Sequence, residues 1–136
     1  MSYEHLTTNF TTGEFLVSSS YPELVKDVKL FYWQVDKLYY LCAFLLQPLR
    51  DKFGPVVITS GYRPPELNAK VGGVPTSQHA RCEAVDFVTP DTDAAEVYEW
   101  ILKRGWPGEI ILYLKEDRLH VSLPQRNVKM DQFIKG

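Results

Sequence analysis

Three side chains in the middle and late parts of the chain could together hold a metal ion. They are His79, Asp86 and His120. Asp86 belongs to an apolar run, where burying a carboxylate without a partner would be costly, and His120 stands between Leu119 and Val121. Two imidazoles and one carboxylate suit a catalytic zinc ion whose fourth position is left to water. Such an ion would lower the pKa of that water and polarise a carbonyl group.

Two further kinds of side chain have the chemistry that a hydrolytic zinc site needs. Asp117 lies three residues before His120 and, by leaning over the metal, would serve as the general base. Glu116 is the second candidate for that role. Arg63 follows an apolar strand, and its guanidinium would bind a substrate carboxylate or stabilise an oxyanion.

Spacing alone leaves a simpler interpretation open for each of these residues. His79 would be a loop histidine, Asp86 a hydrogen-bonded strand carboxylate and His120 a half-buried histidine. Asp117 would be a turn residue, and Arg63 a partner in a surface ion pair. On that interpretation the chain is a soluble α+β domain that binds no metal.

Hydrophobic patterning predicts the elements that would position these side chains. In chain order they are a helical turn after Asn9-Phe10, a helix over 31–51, an inner strand over 56–59, a loop over 61–78 with one helical turn at 65–68, a strand over 83–88, a helix ending near Arg104, and a hairpin over 109–123. Alternation in the last two strands places Asp86 and His120 opposite to their apolar neighbours. If those strands are adjacent, the carboxylate and the imidazole meet on one face of the sheet. The elements sum to an α+β fold with a small, mainly antiparallel sheet.

Composition restricts the class of protein further. The 136 residues suit one domain over 1–136, and a net charge of −2 does not resemble the basic surface of a nucleic-acid binder. No stretch is long and apolar enough for a membrane span, and the amino-terminal residues lack a secretory signal, so we expect a cytoplasmic protein. Cys42 and Cys82 lack the spacing of a zinc knuckle and are predicted to be free thiols.

Short motifs around the candidate residues resemble those of a known peptidase family. The motifs are Ser60-Gly61-Tyr62-Arg63, Asn68, Val71-Gly72-Gly73, Ser77-Gln78-His79, Ala84-Val85-Asp86 and Leu119-His120-Val121-Ser122. Their combination is similar to the M15 zinc peptidases, which include D-Ala-D-Ala carboxypeptidases and L,D-endopeptidases, and within that group to the small phage-type members. The resemblance covers most of residues 9–123.

The resemblance implies a fold, shared with the Hedgehog signalling domain, in which helices pack on one side of a small sheet. It also implies a role for each candidate residue. The zinc ligands would be His79, Asp86 and His120, the catalytic base Asp117, the residue for the substrate carboxylate or transition state Arg63, and the supporting substrate-binding positions Ser77 and Gln78.

The implied activity is zinc-dependent hydrolysis of a peptide bond in peptidoglycan stem peptides, by an endolysin-like enzyme or a carboxypeptidase. The alternative is a zinc-containing module of the same fold that binds the cell wall or a protein without catalysis. We expect a monomer that does not insert into membranes or bind nucleic acid. A phage-encoded enzyme of this kind would reach the wall through a holin or within the virion.

One departure from the family pattern lies at Cys82, where the family usually has glycine. If the position requires a positive φ, Cys82 strains the turn at a cost of roughly 1–3 kcal/mol. Alternatively, its thiol lies near the metal and, as a fourth ligand, makes the site structural.

Overall fold

Residues 4–136, which the computed structural model describes, form an α+β fold built on a five-stranded sheet. The elements in chain order are β1 (His5–Thr7), β2 (Phe10–Thr11), 3₁₀ turns at Thr12–Phe15 and Pro22–Leu24, α1 (Tyr32–Leu41), a π-helical turn (Cys42–Leu46), α2 (Gln47–Phe53), β3 (Val57–Ser60), α3 (Pro65–Lys70), β4 (Ala84–Val88), α4 (Ala94–Arg104), β5 (Ile110–Tyr113), β6 (Arg118–Ser122) and β7 (Gln132–Lys135). No helix within these residues has both the length and the apolar character that a membrane crossing requires. The predicted fold class is confirmed.

The main sheet has the strand order β3-β4-β6-β5-β7, and β1 pairs with β2 in a separate ribbon. Neighbours in the main sheet are antiparallel except β5 and β7, which are parallel. The prediction of an inner strand over 56–59 is wrong, because β3 lies at the edge and Val57 is 47% exposed. A β-branched run fits an edge strand as well as an inner one. β7 was not predicted, because the sequence indicated no helix or strand after Pro124.

One face of the sheet packs against the helices. Alternation along β4 and β6 buries Val85, Phe87, Leu119 and Val121 on that face. The helical side chains in the same core are Leu38, Leu41, Leu45, Leu49, Val97 and Ile101. The residues between them on β4 and β6 therefore point to the opposite face, and these include Asp86 and His120.

The long helix that the sequence predicts changes its winding before Pro48. The Gln47 N–H donates to the carbonyl of Cys42, five residues back, so this turn is wider than an α-helical one. Pro48 has no N–H that could donate to the carbonyl of Phe44, four residues back. Nη1 of Arg104 donates to that oxygen at 2.8 Å. The last turn of α4 is thereby tied to the α1–α2 segment.

The helical turn predicted after Asn9-Phe10 is present before α1 as a 3₁₀ turn, whereas β1 and β2 were not predicted. Thr11 precedes the 3₁₀ turn, and its N–H donates to the Glu14 carboxylate at 2.8 Å, as in a capping box. Phe10 and Phe15 are buried in the core. The backbone of Phe15 also contacts the chain after β3, since its carbonyl accepts a hydrogen bond from the Tyr62 N–H at 2.9 Å.

Candidate metal centre

Asp86 and His120 meet because their strands pair in register. β4 and β6 are antiparallel neighbours, and these two residues are direct cross-strand partners. Asp86 Oδ1 lies 2.7 Å from His120 Nδ1. Both side chains are mostly buried, at 13% and 12% exposed. The predicted meeting of carboxylate and imidazole on one face of the sheet is therefore present in the structure.

His79 reaches the same carboxylate from the loop after α3. Its Nε2 lies 3.3 Å from Asp86 Oδ1, and the residue is 5% exposed. Its backbone carbonyl accepts a hydrogen bond from the Arg63 N–H at 3.0 Å. Its Nδ1 lies 2.9 Å from the carbonyl oxygen of Gly61. A side chain at Gly61 is impossible here, because a Cβ would lie 2.3 Å from the Phe15 carbonyl oxygen.

These three residues fit a metal ion by geometry and by protonation. One ligand atom from each lies within 4.8 Å of the others. A carbonyl oxygen only accepts, so His79 Nδ1 must carry the hydrogen in its bond to Gly61, and Nε2 keeps its lone pair. A backbone carbonyl bound to the far nitrogen is the usual support of a metal-binding histidine. Two nitrogens and one carboxylate oxygen are ligands that suit zinc.

The charges in the group stabilise one another. Burial would raise the pKa of Asp86, but the neighbouring rings of His120 and His79 outweigh that effect and hold the pKa well below its usual range. Burial likewise disfavours the charged form of His120, but hydrogen bonds to Asp86 and Glu109 raise its pKa to about 9. In the metal-free protein the carboxylate is thus ionised and His120 is protonated at neutral pH.

Glu109 is a member of this network that the sequence did not single out. Its Oε1 lies 2.9 Å from His120 Nε2, on the other edge of the ring from Asp86. The residue directly precedes β5, whose Ile111 is the cross-strand partner of His120. The predicted hairpin already indicated this contact. Glu109 is two residues before Ile111, so in a strand both side chains would lie on the same face as their cross-strand neighbour His120.

Comparison with protein families agrees with this geometry. The sequence profile of the family described as Peptidase M15 matches residues 9–122. The chain belongs to the peptidase M15 family. A comparison with curated proteins gives no significant match. The matched region of this M15 peptidase contains the whole His79, Asp86 and His120 group, as well as Glu109.

Two arginines and a tyrosine border the group. Burial lowers the pKa of Arg63, while the charge of Asp86 opposes that effect. Arg118 shares the His120 face, with Nη1 3.6 Å from Asp86 Oδ2 and the guanidinium 3.7 Å from the centre of the Tyr113 ring. The sequence identified Arg63 but not Arg118.

The loop positions predicted to support substrate binding have structural contacts in this M15 peptidase. Ser77 Oγ accepts a hydrogen bond from the His79 N–H at 3.2 Å. Gln78 Nε2 donates to the Leu123 carbonyl at 2.9 Å, which links the loop to the end of β6. Both residues therefore fix the loop that carries His79.

The structure does not bring Asp117 to the group. Its Oδ1 accepts a hydrogen bond at 2.8 Å from the N–H of Ala94, the first residue of α4. Asp117 has φ 50° and lies in the turn directly before β6. In this structure Asp117 therefore faces the start of α4 and not the candidate metal group, and its role as base stays a prediction. Glu116 is exposed, pairs with Arg118 and is not part of the group of potential metal ligands.

Cys82 occupies the left-handed conformation expected of a glycine, with φ 61°. Its side chain is fully buried, and Sγ lies 3.8 Å from the Gln34 carbonyl oxygen on α1. Burial raises the pKa of the thiol to about 12. The metal-binding group among residues 4–136 contains no thiol. The alternative in which Cys82 is a fourth ligand is contradicted, and both cysteines are free, as predicted.

Proposed function

We propose that this M15 peptidase hydrolyses a peptide bond in peptidoglycan stem peptides and requires zinc. His79, Asp86 and His120 would hold the ion, which when bound would activate water and polarise the scissile carbonyl group. The single observation that carries the proposal is the convergence of three ligand atoms within 4.8 Å in a chain of a peptidase family. Family membership supports the peptidase activity, and the donor set supports zinc.

Arg63 would act on the substrate side of the centre. Its guanidinium is half-buried and lies within the field of Asp86. Partial desolvation strengthens a charge-assisted hydrogen bond to a carboxylate or to a developing oxyanion. Stem peptides carry carboxylates, so Arg63 would orient a substrate of this kind. Ser77 and Gln78 would contribute by holding the neighbouring loop, and a role for Asp117 as base remains a prediction.

The first experiment measures zinc content by mass spectrometry on protein purified without chelator. We expect one zinc per chain in the wild type and its loss in Asp86→Asn, which keeps the size of the side chain but removes its charge. His5→Ala is the matched control, because His5 is exposed in β1 and lies outside the group. No zinc in the wild type, and none taken up on titration, would remove the proposed mechanism.

Digestion of purified muropeptides tests the substrate and the bond. Release of a terminal amino acid would identify a carboxypeptidase, and division of the stem within its length would identify an endopeptidase of endolysin type. Mass spectrometry of the products distinguishes the two. Activity should disappear in Asp86→Asn and persist in His5→Ala.

A non-catalytic module is the second candidate function, and one observation favours it. Asp117, the carboxylate predicted to act as base, is engaged by the amino terminus of α4. In such a module, zinc would organise a surface that binds wall peptides or a protein partner. Stoichiometric zinc together with no turnover of any muropeptide would support this candidate over the peptidase.

A further inference from the structure

The side chain of His120 is held between two carboxylates, one at each ring nitrogen. Asp86 Oδ1 lies 2.7 Å from Nδ1, and Glu109 Oε1 lies 2.9 Å from Nε2. The two nitrogens of an imidazole point in divergent directions, so the two carboxylates lie on opposite sides of the ring and each contacts a different nitrogen. From these contacts we propose that Glu109 is a positioning residue, which fixes His120 so that Nδ1 is the atom presented to the metal.

Glu109 acts through His120, since it does not reach the other two ligands. The group whose atoms lie within 4.8 Å of one another includes His79 and Asp86 but not Glu109. Nδ1 is the nitrogen beside Asp86, and Nε2 is turned toward Glu109. An ion that contacts His79, Asp86 and His120 together would therefore use Nδ1, the nitrogen beside Asp86, with the hydrogen of the neutral ring on Nε2.

The backbone holds Glu109 in place before any metal binds. Its N–H donates to Ser122 Oγ at 3.0 Å, and its carbonyl accepts from the Ser122 N–H at 3.1 Å. Ser122 is fully buried, and its own carbonyl accepts a hydrogen bond from Trp106 Nε1 at 2.8 Å. Gly108 lies against the same carbonyl, where an added Cβ would be 1.7 Å from the oxygen. The residues around Glu109 thus fix its backbone, from which the carboxylate reaches His120.

This arrangement gives the two histidines opposite protonation patterns. His79 donates from Nδ1 to Gly61 and offers Nε2, whereas His120 would donate from Nε2 to Glu109 and offer Nδ1. A carboxylate that accepts a hydrogen bond from the far nitrogen orients the ring and makes the ligating nitrogen more basic. The Glu109 carboxylate would do this more strongly than the neutral carbonyl that supports His79.

The inference rests on the proposed zinc site, and zinc affinity tests it directly. The dissociation constant for zinc alone would be measured by competition with a chromophoric chelator in the wild type, Glu109→Gln and Glu109→Ala. We expect Glu109→Ala to bind zinc about 10–100-fold more weakly. Glu109→Gln should lose less, because its amide oxygen can still accept the Nε2 hydrogen. Glu99→Ala, on the exposed face of α4, is the control and should bind as the wild type does.

Nitrogen-15 NMR of the histidine rings supplies a readout that a merely structural role would not change. In zinc-loaded wild type, His120 should show a metal-bound Nδ1 and a protonated Nε2, and Glu109→Ala should lose that single pattern while its circular dichroism stays native. Equal zinc affinity in wild type and Glu109→Ala, or a metal-bound Nε2 in wild type, would overturn the inference while leaving the proposed function standing. Absence of zinc binding in the wild type would overturn both.

Discussion

At the scale of single residues, one oxygen of Asp86 organises the candidate centre. This oxygen, Oδ1, lies 2.7 Å from His120 Nδ1 and 3.3 Å from His79 Nε2. The carboxylate therefore links the loop before β4 to β6, although His79 and His120 are distant in the sequence. The same contacts make the stability of the metal-free protein depend on pH, since a group whose pKa differs between folded and unfolded states links protonation to folding.

The pKa of His120 sets the sign of that dependence. It rises from 6.5 to about 9 on folding, because hydrogen bonds to Asp86 and Glu109 more than offset the effect of burial. The contribution is therefore fully present below about pH 6.5 and is lost as pH rises through about 9. Urea unfolding of chelator-treated protein should show a falling free energy of unfolding across this window. The fall should be absent in His120→Asn, and its persistence there would assign the effect to another group.

Cys82 provides a measure of backbone strain at a single position. At φ 61°, any side chain carries a conformational cost that glycine avoids. Cys82→Gly and Cys82→Ala both remove the buried sulfur, but only the first also removes the strain. We expect Cys82→Gly to be more stable than Cys82→Ala by about 1 kcal/mol, measured by thermal or urea unfolding. Equal stability of the two variants would show that the turn is not strained.

At the scale of elements, the hairpin of β5 and β6 is joined to α4 by one side chain. The side chain of Asp117, in the turn between the two strands, accepts a hydrogen bond from the first N–H of the helix. The negative charge also lies at the positive end of the helix dipole, which adds to the hydrogen bond. This contact explains why the acidic residue three positions before His120 is found on the helical side of the sheet.

Asp117 variants should separate this structural role from the predicted catalytic one. Asp117→Ala should lower the free energy of unfolding by about 1 kcal/mol through loss of the cap, and zinc affinity should not change. Asp117→Asn keeps an acceptor oxygen and tolerates a positive φ, so it should retain most of the stability. If both variants lose turnover on muropeptides while Asp117→Asn folds as stably as the wild type, the carboxylate has a catalytic role and the cap must open during the reaction.

At the scale of the whole molecule, local patterns in the sequence predicted most of what positions the centre. Alternation alone put Val85 and Phe87 in the core and Asp86 on the other face, because strand periodicity is a property of neighbouring residues. The helical turn after Phe10 and the end of α4 at Arg104 followed from equally local signals.

The features that the sequence did not reveal depend on contacts between distant segments. The position of β3 at the edge and the pairing of β7 with β5 are set by sheet order, which no local run encodes. The contact from Glu109 to His120 crosses between two strands. The direction of Asp117 depends on a left-handed turn residue, and spacing from His120 specifies only its distance along the chain.

The three ligand atoms of the candidate centre lie on a loop and two strands, so they come together only in the folded sheet. An ion held by them would bind the native chain and not the unfolded one. Each tenfold excess of free metal over its dissociation constant would then add about 1.4 kcal/mol to the stability of the fold. The lifetime of the protein against proteolysis would accordingly depend on the supply of that metal in its surroundings.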